Sequence, residues 1–395
     1  MSRAVTFVVF LSVALAVLFG IHWYLWLRLV RDTRLENPWR AVATGLLVLA
    51  GLAVPATLVA LRTGAAPHFA AFKWIGVTWI GVMFVLFVLC IGGDLVTAGV
   101  RLLVKLTIHG SPLSDDRRRF LARGLAGGVI VTGAAVSALG VRAALGPVAV
   151  RRVEVALRRL APAHDGFTVA QLTDLHIGPT IRERELAAIV DSTNALDADI
   201  VAITGDLVDG GVEELRAAVA PLGKLRARHG VFFVTGNHEY FSGAGQWVSE
   251  ISRLGIRVLR NERVSIVSKG ATLDLAGVDD ASASRSGVPG HGEDLAAALT
   301  GRDRERALIL LAHQPRAVLR VAPFGVDLQL SGHTHGGQIW PFGLLVRLQQ
   351  GFLSGLHRHG ETQLYVSRGT GYWGPPMRVA APAEITQLVL RPLLT

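Results

Sequence analysis

Residues 167–178 read FTVAQLTDLHIG, and residues 181–196 read IRERELAAIVDSTNAL. The first stretch is a short apolar run that ends in Asp174 and His176, which reads as a buried strand closing on a polar cluster. The second spaces its apolar residues between charges at helical period. The alternation recurs in DIVAITGDLVDG (199–210), VEELRAAVAPLGKLRAR (212–228) and GVFFVTGNHEYF (230–241). Strand-like runs then dominate: ATLDLAGVDD (271–280), RALILLAHQP (306–315), VDLQLSGHTH (326–335), TQLYVSRGTG (362–371) and ITQLVLRP (385–392). Helices alternating with strands, then strands in succession, predict an α/β fold over 153–395 with two sheets packed between helices, an α-β-β-α sandwich of four layers. About 240 residues suffice for a large core.

Residues 1–150 are different. Four long apolar segments, at about 4–30, 41–61, 74–100 and 120–145, each reach the ~20 residues needed to cross a bilayer as a helix. Mean hydropathy is +0.43, which fits a chain that is part membrane and part soluble. Trp23, Tyr24 and Trp26 form an interfacial belt beside Arg28, Arg31 and Arg34. Pro55 is tolerable as a kink, and Asp94 is expected at an interfacial helix end, because Arg101 and Lys105 follow. Arginine and lysine crowd loops one and three, which places those loops in the cytoplasm and the C-terminal half outside the cytoplasm. The stretch DDRRRFLARGLAGG (115–128) resembles a twin-arginine export signal, here internal, through Arg117, Arg118, Phe120 and Leu121. An ordinary stop-transfer flank is the other reading, and Val136–Ala138 leaves both cleavage and an uncleaved anchor open. The net charge of +10 follows the membrane flanks and does not indicate a nucleic-acid partner. A single cysteine, Cys90, excludes an intrachain disulfide framework and a zinc-thiolate site.

Each strand of the second half ends in candidate chemistry: Asp174 and His176, Asp206 and Asp209, Asn237, His238 and Glu239, His313, then His333 and His335. Sites in α/β folds form beyond the carboxyl ends of strands, so these clusters can converge. Carboxylate, imidazole and amide oxygen without thiolate suit Mn, Fe or Zn. Seven such ligands exceed the needs of one ion and fit two divalent ions sharing a carboxylate, the arrangement for in-line attack on phosphorus. In an extended strand end with period two, His333 and His335 point the same way and Thr334 points elsewhere.

The ordered set DxH (174–176), GDxxD (205–209), GNHE (236–239), His313 and GHTH (332–335) resembles the calcineurin-like metallophosphoesterase superfamily. GVDD, GHTHGGQIWP and SRGTG are similar to its bacterial membrane-anchored or twin-arginine-exported branch, some of whose members act on lipid or nucleotide-sugar diphosphates. The resemblance implies that Asp174, His176 and His335 bind one ion and that Asp206 bridges. It puts Asn237, His313 and His333 on the second ion. His238 would bind no metal, and would steady the transition state or protonate the leaving oxygen. The expected reaction is hydrolysis of a phosphomonoester, phosphodiester or diphosphate by a metal-bridging hydroxide, with a phosphorylated small molecule or lipid as substrate. The alternatives are a catalytically silent metal-binding scaffold and a sensor working through the transmembrane helices.

Other residues divide between the site and plain structure. Asp209 is expected to brace a loop or His238, and Glu239 to form a local hydrogen bond. Asp279 and Asp280 read either as lining the site or as plain structural carboxylates. Arg368 and Arg378 read either as phosphate contacts or as salt-bridge partners. His357 and His359 fall in an expected solvated loop. Trp340, Phe352 and Trp373 read as packing or as an apolar approach to the site.

Overall fold

The computed structural model describes residues 3–62, 70–107, 114–178 and 180–393. They form two units: Met1–Arg142 with Gly374–Met377, and Ala143–Trp373 with Arg378–Thr395.

The first unit is helical: α1 (Arg3–Trp26), continued by a π-helical turn at Leu27–Arg31, then α2 (Trp39–Arg62), α3 (Ala70–Thr107) and α4 (Asp115–Leu145). Stretches of 22 to 34 residues in them are long and apolar enough to cross a membrane. Their outward surfaces are apolar too, as at Phe10, Leu46 and Leu106, which is the pattern of helices solvated by lipid. A small core of Leu25, Leu29, Val30, Met83, Leu86, Cys90, Ala126 and Val129 joins them. Asp94 departs from expectation. It lies inside α3, not at its end, where Tyr24 Oη donates to its Oδ2 at 2.5 Å and Arg28 Nη2 pairs with it at 2.9 Å. A carboxylate is tolerable in such a helix when a cation and a hydroxyl meet it.

The second unit holds two six-stranded sheets. Its elements in chain order are β1 (Ala149–Leu157), β2 (Thr168–Leu172), α5 (Glu183–Asn194), β3 (Ile200–Ile203), α6 (Val212–Val219), β4 (Val231–Phe233), α7 (Asn237–Ser242), α8 (Ala244–Arg253), β5 (Arg257–Val258), β6 (Glu262–Ser268), β7 (Ala271–Gly277), α9 (Ala283–Ser286), α10 (Leu295–Leu299), β8 (Leu308–Leu311), β9 (Leu328–Ser331), α11 (Gly343–Gln350), β10 (Gly355–His359), β11 (Thr362–Val366) and β12 (Glu384–Pro392). One sheet runs β1-β12-β2-β3-β4-β5 and the other β10-β11-β9-β8-β7-β6. Strands β2 to β5 are mutually parallel, as are β7, β8, β9 and β11. The last strand of the chain, β12, sits between β1 and β2, parallel to the first and antiparallel to the second.

Both faces of each sheet are covered, so the central strands are apolar at nearly every position. In β3, Ile200 and Ala202 face the other sheet, while Val201 and Ile203 face α5, α6 and α8. In β8, Ile309 and Leu311 join the layer between sheets, and Leu308 and Leu310 pack toward α10. The result is the expected order helix, sheet, sheet, helix. Gln171 ties the layers together: its Nε2 donates to Thr204 Oγ1 at 2.9 Å and to Ser331 O, in the other sheet, at 3.0 Å. The HRHG stretch is a correction. His357 and His359 belong to β10, paired with β11, and His357 hydrogen-bonds Ser354 O. Alternating outward residues on an edge strand resemble a loop in composition.

Candidate metal centre

Parallel strands end on the same side of their sheet. Asp174 follows β2, Asp206 follows β3, Asn237 and His238 open α7 after β4, His313 follows β8, and His333 and His335 follow β9. Their side chains form three overlapping groups able to hold a metal ion: Asp174, His176 and His335; His176, Asp206 and His238; Asp206, His313 and His333.

Distances fix the arrangement. His176 Nε2 lies 3.0 Å from His335 Nε2, and His335 Nε2 lies 3.4 Å from Asp174 Oδ1. At the other end, His313 Nε2 meets His333 Nδ1 at 3.1 Å, Asn237 Oδ1 at 3.2 Å and Asp206 Oδ2 at 3.1 Å. Asp206 Oδ2 is central, 4.0 Å from His176 Nε2 and 3.9 Å from His238 Nε2. His313 Nδ1 is engaged by the carbonyl of Thr204 at 2.8 Å, which turns its Nε2 lone pair toward the cluster. Lone pairs of carboxylate, amide and imidazole thus converge with few donors between them. Such a set is repulsive unless a proton or a cation sits among it, and its chemistry fits two divalent ions.

The electrostatics agree. Burial pushes the Asp174 carboxyl up and Asp206 adds to this, against the pull of His313 and His176. Burial also opposes ionisation of Asp206, yet His313, His238 and His176 hold it well below the usual range. Burial and the charge of His313 push His333 down to about 4. Burial, His176 and Arg378 push His335 well below its ordinary value, which leaves a neutral ring with a free lone pair. His238 is raised to about 8: burial opposes this, but its bond to Asp209 and the charge of Asp206 outweigh it.

The histidine pair at 333 and 335 departs from expectation. Neither residue is in a strand. They have φ of 69° and 51°, and one ring meets His313 while the other meets His176. The i, i+2 spacing comes from left-handed backbone, not from extended period. Asp174, His176 and Asp206 share that conformation at φ 52°, 48° and 51°. Non-glycine residues seldom adopt it, and its concentration here marks a strained site. Gly332 permits the closest approach: a Cβ there would overlap Thr173 Oγ1 and Asp174 Oδ2. The backbone N–H of His333 donates to both oxygens of Asp174, at 2.9 and 3.0 Å.

Supporting residues complete the centre. Asp209 Oδ1 lies 2.5 Å from His238 Nδ1, and both its oxygens lie 3.2 Å from His176 Nδ1. Glu239 does more than bond locally. Its buried carboxylate accepts the N–H groups of Gly236, Asp206 and Leu207 at 2.6, 3.1 and 2.8 Å, which clamps two ligand loops together. Arg378, whose role sequence reasoning missed, is buried and, among the described residues, paired with no carboxylate. It donates to the carbonyls of His335, Arg368, Gly371 and Ala381. Nothing in the local sequence signals a guanidinium bound to backbone. Arg368 lies 4.0 Å from Glu384. Asp279 is held by Arg260 at 2.8 and 3.0 Å, and Asp280 by Gln314 at 3.0 and 3.1 Å. Neither aspartate joins a metal-capable group among the described residues. Phe352 packs against His357, with ring centroids 5.4 Å apart. Trp373 and Phe241 stand edge-on to the His238 ring at 5.8 and 5.4 Å.

The chain is similar to known proteins. The family described as calcineurin-like phosphoesterase matches residues 167–337. The chain is 43% identical over 288 residues to a bovine (Bos taurus) transmembrane protein with metallophosphoesterase domain, covering 70% of this chain and 65% of that one. It therefore spans about two-thirds of that relative's length. It is 35% identical over 232 residues to a metallophosphoesterase of Aquifex aeolicus, covering 58% of this chain and 87% of that one. Among solved structures, a putative 5'-nucleotidase from Staphylococcus aureus aligns at 13% identity with a TM-score of 0.36, over 58% of this chain and 55% of that one. With strand-end ligands in family order and a relative matched over nearly its full length, the chain belongs to the calcineurin-like phosphoesterase family.

Proposed function

We propose that this protein is a membrane-anchored phosphoesterase that uses two divalent ions to hydrolyse a phosphomonoester, phosphodiester or diphosphate. Residues 1–150 serve as a multi-pass anchor and 153–395 as the hydrolytic domain. The observation that carries the reading is the convergence on Asp206 Oδ2 of His313 at 3.1 Å, His238 at 3.9 Å and His176 at 4.0 Å. Asp174, His176 and His335 would hold one ion, Asn237, His313 and His333 the other, with Asp206 shared. Bound divalent cations would supply the positive charge that polarises a phosphoryl group and acidifies water. His238, whose Nε2 lies 3.9 Å from Asp206 Oδ2, is assigned a catalytic role and not that of a ligand. Its Nδ1 is fixed by Asp209, so its Nε2 is free to hold a proton for the leaving oxygen. Manganese, iron and zinc all suit the donor set.

The loop arginines support an extracytoplasmic domain, and Arg117, Arg118, Phe120 and Leu121 at the start of α4 support twin-arginine export of a folded, metal-loaded protein. That location favours envelope substrates, lipid or cell-wall phosphates. The test is hydrolysis of an aryl phosphodiester by the detergent-purified full chain with added manganese. Asp206→Asn and His238→Ala are expected to abolish it. Undiminished turnover in both variants rejects the site, and manganese binding without turnover in the unmodified chain favours a silent scaffold. A reporter inserted after Ala163 that is active only in the cytoplasm rejects export.

A further inference from the structure

Helix α11 is built inside out. Among its eight residues, GLLVRLQQ, the buried ones are Gly343 and Gln350, while Leu344, Leu345 and Leu348 are exposed. A solvated helix on a globular domain does the reverse. The inversion is held in place by the metal loop. Gly337, two residues past His335, lies so close to Gly343 that a Cβ at Gly337 would overlap the helix backbone. The hydroxyl of Thr334 donates to Leu353 O at 2.6 Å, which ties the far end of the same segment to the loop. The leucines therefore cannot turn inward without moving His335.

Further exposed apolar residues occur around the site. Trp340 precedes α11, and its N–H is bonded to Val379 O at 3.1 Å. Trp373 is fixed to the metal loop through Gln338, with hydrogen bonds of 2.8 and 2.9 Å. Phe241 and Trp373 flank His238. Phe241, Trp340, Leu344, Leu345, Leu348 and Trp373 are 55–83% exposed. Arg347 is exposed on the same short helix.

We propose that this rim is a membrane-contact surface, with α11 lying in the headgroup–acyl boundary of a bilayer. Two observations select a bilayer as the occupant. Two tryptophans, three leucines and an arginine have the composition of interfacial segments, where tryptophan sits at headgroup level and arginine meets lipid phosphate. The chain carries four helices of membrane-spanning length, so a bilayer is always at hand. The contact places the mouth of the metal centre beside phosphate-bearing headgroups. It rests on the membrane reading of the helices and on no assumption about turnover.

The test uses the full chain in vesicles of phosphatidylcholine with a minority of phosphatidylglycerol. An environment-sensitive fluorophore is attached at Leu348→Cys, after Cys90→Ser removes the native thiol. A second sample carries the label at Leu46→Cys, on the apolar surface of α2, as a control for bilayer insertion. Expected at position 348 are a blue-shifted emission and quenching by lipids with a spin label near the headgroup, about twofold or more, with little quenching by aqueous iodide. Leu46 should be quenched by deep spin labels. Iodide quenching without lipid quenching at 348, while Leu46 is quenched, overturns the contact and leaves the anchor intact. No lipid quenching at either position rejects the membrane reading itself. Protection of 348 from both quenchers, with crosslinking between copies, assigns the rim to self-association instead and also overturns the proposal.

Discussion

Asp209 is two residues' worth of constraint in one side chain. It reaches the Nδ1 atoms of both His176 and His238 and so fixes both rings from behind. Replacing a carboxylate behind a ligand histidine typically costs ~10–100-fold in metal affinity or activity. Asp209→Asn should therefore lower kcat by about that factor with little change in KM, measured on the aryl phosphodiester. Gly332 is constrained by space. Gly332→Ala forces a methyl into Thr173 and Asp174, and a shift of that kind costs roughly 1–3 kcal/mol. A lower midpoint of thermal unfolding, with weaker manganese binding by calorimetry, is the expected pair of readings. Both residues could be singled out in the sequence, Asp209 as a brace and Gly332 as the first residue of the GHTH motif. What each one touches could not, because Thr173 and Gly332 follow strands of different sheets, β2 and β9.

At the scale of elements, the helices and strands follow their local pattern closely. The four apolar segments became four helices, and the alternating runs became β2-α5-β3-α6-β4. Local pattern misleads where a polar group has a distant partner. Asp94 reads as a helix-end residue but lies within α3, because Arg28 and Tyr24, about seventy residues earlier, meet it there. A double-mutant cycle over Asp94→Ala and Arg28→Ala should give a coupling of about 0.5–1.5 kcal/mol, in the range of polar pairs between membrane helices. Detergent unfolding of the four proteins measures it. Additive effects would show that the two side chains meet without stabilising the bundle. His357 and His359 misled for the opposite reason. A solvated edge strand has the composition of a loop, and only its pairing with β11 distinguishes them.

At the scale of the molecule, the candidate ligands are drawn from five separated strand ends, so any metal they bind would be linked to the folding of the whole second unit. An ion that binds only the folded chain stabilises it by ~2.7 kcal/mol at a free concentration a hundredfold above Kd. Chelation should therefore lower the unfolding midpoint, and added manganese should restore it. The chelator should leave the midpoint of Asp206→Asn nearly unchanged. An equal chelator effect on the variant would mean that the stabilising ion sits elsewhere.

The sequence by itself determined which residues have metal-binding chemistry, their order along the chain, and their place at the ends of apolar strands. Those features are local: they depend on residue type and on period. It also determined four helices of bilayer length, since composition alone sets that. Only the tertiary structure decided the grouping of ligands. His176 meets His335 across 159 positions, and His333 turns away from His335 to meet His313. It decided too that β12 enters the first sheet between β1 and β2, that Arg378 is buried among carbonyls, and that α11 faces its leucines outward. Each depends on pairings between distant segments and on left-handed backbone that the packed sheets hold in place, and neither has a short-range signature.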